Sequence, residues 1–140
     1  MSIFSTFLSV KRMYKMINEL ESLGDSGEAI SRILSRRNVH GKRFTDKNVE
    51  KIDMMINLID KTYGVMIENL SVKEFTEQDL RRALDCEHEI NEMRNMLREE
   101  EILRIEQNES SYQSSVYYLD IISEFERMGD FMINISEARQ

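Results

Sequence analysis

The chain has 140 residues, of which 41% are hydrophobic and 32% are charged, and its formal net charge is −7. This length favours one domain, and this composition is typical of a globular protein rather than a disordered one. The negative charge argues against a main role in binding nucleic-acid phosphates, so we expect no nucleic-acid partner.

The sequence begins with MSIFSTFLSVKR, whose apolar run is too short to span a bilayer. The run is not preceded by the basic segment that a secretory signal carries. We therefore interpret it as the start of a helix and expect no membrane insertion. Pro is absent from the whole chain, which favours long helices because Pro interrupts them.

Apolar residues at helical spacing predict a first helix over residues 1–37. They are Phe4, Phe7, Val10, Tyr14, Ile17, Leu20, Leu23, Gly27, Ile30 and Leu34. A basic run follows along its second half and beyond: Arg32, Arg36, Arg37, His40, Lys42 and Arg43. Cations there complement the negative end of a helix. A patch for docking a partner is the alternative interpretation of this run.

Three more segments show the same periodicity, and each follows a residue that can cap a helix. Thr45 or Asp46 is expected to cap the second helix, and Ser110 or Ser111 the fourth. Thr76 and Asp79 resemble a capping box before the third helix. No strand pattern competes, so we predict an all-α fold, an antiparallel up-down bundle of four long helices in a single domain, 1–140.

The last predicted helix contains two acids at positions i and i+4, with a glycine between them. Glu126 and Asp130 project from one face of the helix, where their like charges repel. A cation with a preference for oxygen ligands would remove that repulsion. Gly129 would then let a neighbouring helix or a metal-bound oxygen come close. The alternative is a solvated pair of acids beside a glycine that serves only close packing.

The same three residue types recur near the start of the chain. Glu21, Gly24 and Asp25 lie 105 residues before Glu126, Gly129 and Asp130, and Ile17, Glu19, Ile30 and Ser31 match at that offset. The first helix is therefore interpreted as the counterpart of the fourth. This recurrence strengthens the case for a functional role of the acids, and a solvated face remains the alternative.

The third helix carries a further set of polar residues beside its apolar row. Glu87 and Asn91 are again spaced at i and i+4, and they border the predicted core. Asp85 and Glu89 are expected to face water, and so is the segment REEE, residues 98–101. Cys86 is the only cysteine, which rules out an intrachain disulfide, and we interpret it as a core residue.

Motifs of enzymes are missing from the sequence. It has no nucleophile elbow and no glycine-rich phosphate loop, and it lacks the Glu-x-x-His pairs of di-iron bundles. With only two histidines, a carboxylate-bridged metalloenzyme is disfavoured. We therefore expect a protein that is not an enzyme and has no site for phosphate itself.

The segment FERMGDFMINISEA, residues 125–138, resembles the PhoU family, whose helices end in a Leu-Glu-Arg-Ile-Gly-Asp…Asn-Ile pattern. CEHEINEMRNMLREEEILRI is similar to the family's preceding helix. Within the family, the chain looks most like the cytoplasmic tail of bacterial Na⁺/phosphate cotransporters. The resemblance covers residues 46–138 as a three-helix repeat, with 1–37 as the last helix of an incomplete preceding repeat.

The resemblance implies a cytoplasmic regulator of phosphate transport, tethered to the membrane through a transporter domain. It implies divalent or iron-type metal ions, held by Glu126 and Asp130, Glu87 and Asn91, and the equivalent pair Glu21 and Asp25. Asn91 stands where the family motif has Asp. The implied partner is a phosphate transporter or its membrane domain, with a homo-oligomer as a further expectation. The alternative function is a structural interaction or oligomerisation module without metal.

Overall fold

Four α-helices make up the chain in a computed structural model, which describes residues 2–39, 41 and 43–140. They are α1 (Ile3–Val39), α2 (Asp46–Ser71), α3 (Glu77–Glu106) and α4 (Tyr112–Glu137). The predicted all-α helical bundle is confirmed, and no strand occurs among the described residues. Two members of the predicted basic run, His40 and Lys42, lie outside the described residues.

The helix starts follow from side chains that satisfy free backbone N–H groups. Thr45 accepts a hydrogen bond of 3.1 Å from the Asn48 N–H at the start of α2. Thr76 and Asp79 form the complete capping box that the sequence predicts for α3. At α4 the cap is Ser111 rather than Ser110.

Helix α4 is the centre of the bundle, because it packs against each of the other three helices. Helices α2 and α3 also pack against one another, and Lys61 pairs with Glu89 in their antiparallel arrangement. In the part of the chain that is described, α1 contacts only α4. The main core lies between α2, α3 and α4: Met55, Ile59, Met66, Ile90, Leu97, Tyr118, Ile121, Ile122, Phe125, Met132 and Ile135.

The apolar residues that predict α1 divide into two groups. Leu23 and Ile30 pack against the core. Those in the first half of the helix are exposed, with Phe4 at 70% and Tyr14 at 68%. Two physical reasons account for this. The row has a spacing shorter than the about 3.6 residues of a helical turn, so it winds around α1. In addition, Glu19 already accepts a hydrogen bond from Asn134 near the end of α4, so earlier residues extend past that end.

Candidate functional site

Gly129 on α4 packs closely against Ile90 of α3. A Cβ atom at this position would lie 3.0 Å from Cδ1 of Ile90, which is tighter than ordinary van der Waals contact. The predicted close-packing role of Gly129 is therefore present in the structure. Gly24 differs, because a Cβ atom there would meet no atom within 4 Å.

One acid of the α4 motif is compensated by a cation. The Glu126 carboxylate forms an ion pair with the Arg94 guanidinium across the α3–α4 interface, and both side chains are partly exposed, at 25% and 18%. Sequence reasoning missed Arg94. The available signal was its position seven residues after Glu87, which places both on one face of α3.

The second acid of the motif is poorly compensated. Burial and, after it, the negative charge of Glu126 raise the pKa of Asp130, while Arg94 lowers it by a smaller amount. Burial also raises the pKa of Glu87 on α3, with further contributions from the charges of Asp130 and Glu137. Two carboxylates from different helices therefore repel one another at a half-buried place, and each holds its proton more tightly than usual.

Asn91 lies one helical turn after Glu87 on the same face of α3. Its side-chain oxygen Oδ1 is buried and has no hydrogen-bond partner. A buried polar atom without a partner costs free energy, and such an atom needs an explanation such as a bound water or ion. Glu87, Asn91 and Asp130 are called the α3–α4 oxygen cluster below.

The pair predicted on the first helix is placed differently. Glu21 and Asp25 are both exposed on α1. Asp25 lines an open groove of about 530 Å³ between α1 and α4, and Asp130 lines the same groove. The structure thus brings Asp25 toward Asp130, whereas Glu21 does not line this groove.

The chemistry of the oxygen cluster matches a hard cation in part. Ca²⁺, Mg²⁺ and Mn²⁺ take carboxylate and amide oxygens and keep water as their remaining ligands. Two uncompensated carboxylates and one unpartnered amide oxygen fit that donor set. Throughout residues 2–39, 41 and 43–140, no three side chains of His, Cys, Asp or Glu are grouped to hold a metal ion. Any bound cation would therefore depend on Asn91 and on water.

A buried ionic network lies at the other end of the bundle, where α2, α3 and α4 meet. Glu101 is only 2% exposed, so the expectation that REEE faces water is wrong for this residue. Its carboxylate accepts hydrogen bonds from Ser115 Oγ at 2.7 Å and from Arg104 Nη1 at 3.2 Å. Arg104 also donates to Asn48 Oδ1 at 2.8 Å. The signal was available, since Glu101 follows Leu97 by four residues and so continues the apolar row of α3.

Part of the predicted basic run lies on the last turns of α1. Arg36 and Arg37 are in the final turn, where cations complement the helix dipole. The Arg37 guanidinium lies 4.8 Å from the centre of the Phe44 ring. Arg32 and Arg36 line a second groove against α4, of about 540 Å³. Acids line this groove as well, so it is not a purely cationic surface.

Among the described residues, none of the four helices is both long enough and apolar enough to cross a bilayer.

Comparison with known proteins gives one match. The family model described as the PhoU domain matches residues 66–138, slightly more than half of the chain. The matched part begins in the second half of α2 and contains all of α3 and α4, so it includes the whole α3–α4 oxygen cluster. No curated protein and no solved structure matches the chain.

Proposed function

The chain belongs to the PhoU family, which acts in the regulation of phosphate transport, and on that premise we propose that it is a regulatory domain whose α3–α4 oxygen cluster binds a divalent cation. The protein acts through contacts of its helical surfaces and has no catalytic role. The observation that carries the proposal is a pair of half-buried, poorly compensated carboxylates, Glu87 on α3 and Asp130 on α4, close enough for the charge of Asp130 to raise the pKa of Glu87.

Burial is the main cause of both raised pKa values, and negative charges add to it, from Asp130 at Glu87 and from Glu126 at Asp130. A divalent cation would offset those negative charges. It would also give the orphan oxygen of Asn91 a partner. Because the ligands come from two helices, the cation would hold α3 and α4 together more tightly than the apolar contact of Ile90 and Gly129 does alone. The cluster would then respond to cation concentration with a change in the stability of the α3–α4 interface.

The proposal retains only part of the predicted ligand set. Glu126 is committed to Arg94, so it supports the cluster electrostatically rather than as a ligand. Asp25 adds a carboxylate from α1 on the groove that Asp130 lines. Glu21 has no part in the proposed site.

A structural module without metal is the second candidate function, and a specific observation favours it. The ion pair of Glu126 with Arg94 and the contact of Gly129 with Ile90 give two residues of the motif a packing role without any ligand. This candidate predicts that divalent ions leave the stability of the protein unchanged.

The partner and the location belong to the same proposal. We infer a cytoplasmic domain that contacts a phosphate transporter, in the manner of the tail of a Na⁺/phosphate cotransporter, which the sequence resembles. The family match supports the link to phosphate transport, whereas the transporter contact and the likeness to a cotransporter tail come from the sequence resemblance.

The test is a thermal melt of protein purified without chelators, with and without added Mn²⁺. The wild type is expected to melt at a higher temperature with Mn²⁺. The double variant Glu87→Gln/Asp130→Asn is expected to show no such rise. Asp85→Asn is the matched control, because it removes an exposed acid from the same helix and should respond as the wild type does. An equal rise in wild type and double variant would contradict the assigned site.

A further inference from the structure

The first half of α1 carries an apolar face that no described residue covers. Residues 3–18, called the arm below, begin with thirteen residues that are exposed without interruption, up to Lys15. The large apolar side chains at steps of three and four are 59–92% exposed, and they are Ile3, Phe7, Val10, Tyr14 and Ile17. Such a continuous exposed face marks an interaction surface rather than scattered surface residues.

This face does not continue the contact of α1 with α4. Ser26 and Ile33 are turned toward α4, and successive residues of a helix are rotated by about 100°. Counting back along α1, Phe7, Val10 and Tyr14 lie on the side that faces away from α4. The bundle as described therefore cannot cover this face of the arm by a small shift of α1.

The charge of the arm is opposite to that of the rest of the chain. Lys11, Arg12 and Lys15 are its only charged residues, so it contributes +3 to a chain of net charge −7, and the remaining residues carry −10. All three cations are exposed. In the described part of the chain, none of them has an ion pair or a hydrogen bond from its side chain.

A helix with a wide apolar face, basic residues and no acid is typical of a segment that lies in a membrane interface. A second copy of the chain fits less well. Pairing two arms would bring six cations together, and the row spans about two heptads, fewer than the three to four of a coiled coil. An anionic lipid surface, by contrast, attracts the cations and covers the apolar side chains.

We propose that the arm binds an anionic membrane surface. It lies in the plane of the headgroups, with Phe7, Val10 and Tyr14 at the acyl boundary and its lysines at the phosphates. The helix does not cross the bilayer, but its apolar side chains enter the interface, so this proposal departs from the sequence-based expectation of no membrane insertion. The acidic bundle is repelled by the same surface, so the protein contacts the membrane through the arm only. This inference is independent of the cation site on α3 and α4.

The experiment is flotation of the full chain with vesicles of equal parts phosphatidylcholine and phosphatidylglycerol, and with vesicles of phosphatidylcholine alone. Binding is expected for the anionic vesicles only and is expected to weaken as salt is added, because salt screens the lysines. The variant Phe7→Gln/Val10→Gln should bind the anionic vesicles at least tenfold more weakly. Val49→Gln/Ile56→Gln is the matched control, since both residues are 45% exposed on α2, and it should bind as the wild type does.

A thermal melt of the arm variant checks that its weaker vesicle binding is not caused by unfolding. If Mn²⁺ raises the melting temperature of this variant as it does for the wild type, the membrane test is separate from the test of the cation site. Failure of the wild type to float with anionic vesicles would overturn the proposal. Equal flotation of the arm variant would also overturn it. If sedimentation showed a dimer that the arm variant loses, without vesicle binding, a second copy rather than lipid would be the occupant.

Discussion

Arg94 and Glu126 form an ion pair that joins α3 to α4 at the acidic motif. This pair divides the motif into two carboxylates with different environments, because Glu126 has a cation beside it whereas Asp130 is left with raised pKa. Glu87 on α3 also has a raised pKa, because it is partly buried and because the negative charge of Asp130 lies across the interface. A cation site in this protein is therefore expected between Glu87 and Asp130, and not at the Glu126–Asp130 pair that the sequence alone suggests.

Removal of Arg94 tests how this cation competes with a bound metal. Arg94→Ala deletes the positive charge that lowers the pKa of Asp130 and leaves Glu126 free to act as a ligand. The variant is expected to be less stable without metal, by about 1 kcal/mol, since the pair is partly exposed. It is also expected to bind Mn²⁺ several-fold more tightly, which isothermal titration calorimetry measures. Weaker Mn²⁺ binding than in the wild type would count against the site.

The raised pKa values of Glu87 and Asp130 predict how stability changes with pH. A carboxyl group with raised pKa binds its proton more tightly in the folded than in the unfolded state. Stability without metal therefore falls as the pH rises from the ordinary carboxyl pKa, about 4, through the raised values. Glu87→Gln and Asp130→Asn should each stabilise the metal-free protein at pH 7, because they remove a charge that the fold disfavours.

Urea denaturation at several pH values measures this effect. The advantage of both variants should shrink as the pH falls from the raised pKa values toward about 4, and it should be absent below that, where the wild-type carboxyls are protonated in both states. Asp85→Asn serves as the control at an exposed position of α3. If the extra stability of the two variants stayed constant down to acid pH, the removed charge would not be its cause.

The two glycines of the repeated motif are predicted to respond differently to alanine. Gly24→Ala places a Cβ atom in open space and replaces a poor helix former, so it should stabilise the protein by up to about 1 kcal/mol. Gly129→Ala gains the same helix propensity but puts its Cβ atom 3.0 Å from Ile90 Cδ1. The net gain in stability of Gly129→Ala should therefore be smaller than that of Gly24→Ala, or the substitution should be destabilising. Denaturant unfolding of both variants compares them, and a larger gain at position 129 would be inconsistent with the close helix contact.

Among the charged residues of the bundle, Glu101 is predicted to cause the largest loss of stability when it is replaced by alanine. Glu101→Ala leaves Arg104 without its carboxylate and deletes the acceptor of the Ser115 hydroxyl, at a place that is 2% exposed. The expected loss of unfolding free energy is about 3 kcal/mol, the lower part of the range for breaking a buried pair. The neighbouring acid, in Glu100→Ala, is the control and should cost less than about 0.5 kcal/mol, as an exposed position does. Similar losses in both variants would contradict the network.

The helices and their caps could be predicted from the sequence because both depend on local signals. Thr45, Thr76 and Ser111 each accept a hydrogen bond from the N–H three residues later, so these caps can be recognised in the local sequence. The α3–α4 contact was predicted in part, since Gly129 is unusual in a helix and its packing role is a local inference. The burial of Glu101 was not predicted, because charged residues normally face water and because its partner Ser115 belongs to another helix.

The pairing of charges between different helices could not be predicted from sequence patterns. Whether Glu126 or Asp130 is the free carboxylate depends on which of them faces Arg94, and that is decided by the register of α3 against α4. The exposed arm was missed for a related reason. Its residues have a regular apolar spacing, but burial depends on how far α4 extends alongside α1, and α4 ends where α1 has reached Glu19.

The central claim is that Glu87 and Asp130 hold a divalent cation together. Titration of Mn²⁺ into chelator-treated protein, followed by the loss of the free-Mn²⁺ signal in electron paramagnetic resonance, measures it most directly. The account predicts saturable binding of one Mn²⁺ per chain in the wild type and in Asp85→Asn. It predicts at least tenfold weaker binding in Glu87→Gln/Asp130→Asn. Undiminished Mn²⁺ binding in that double variant, or none in the wild type, would contradict it.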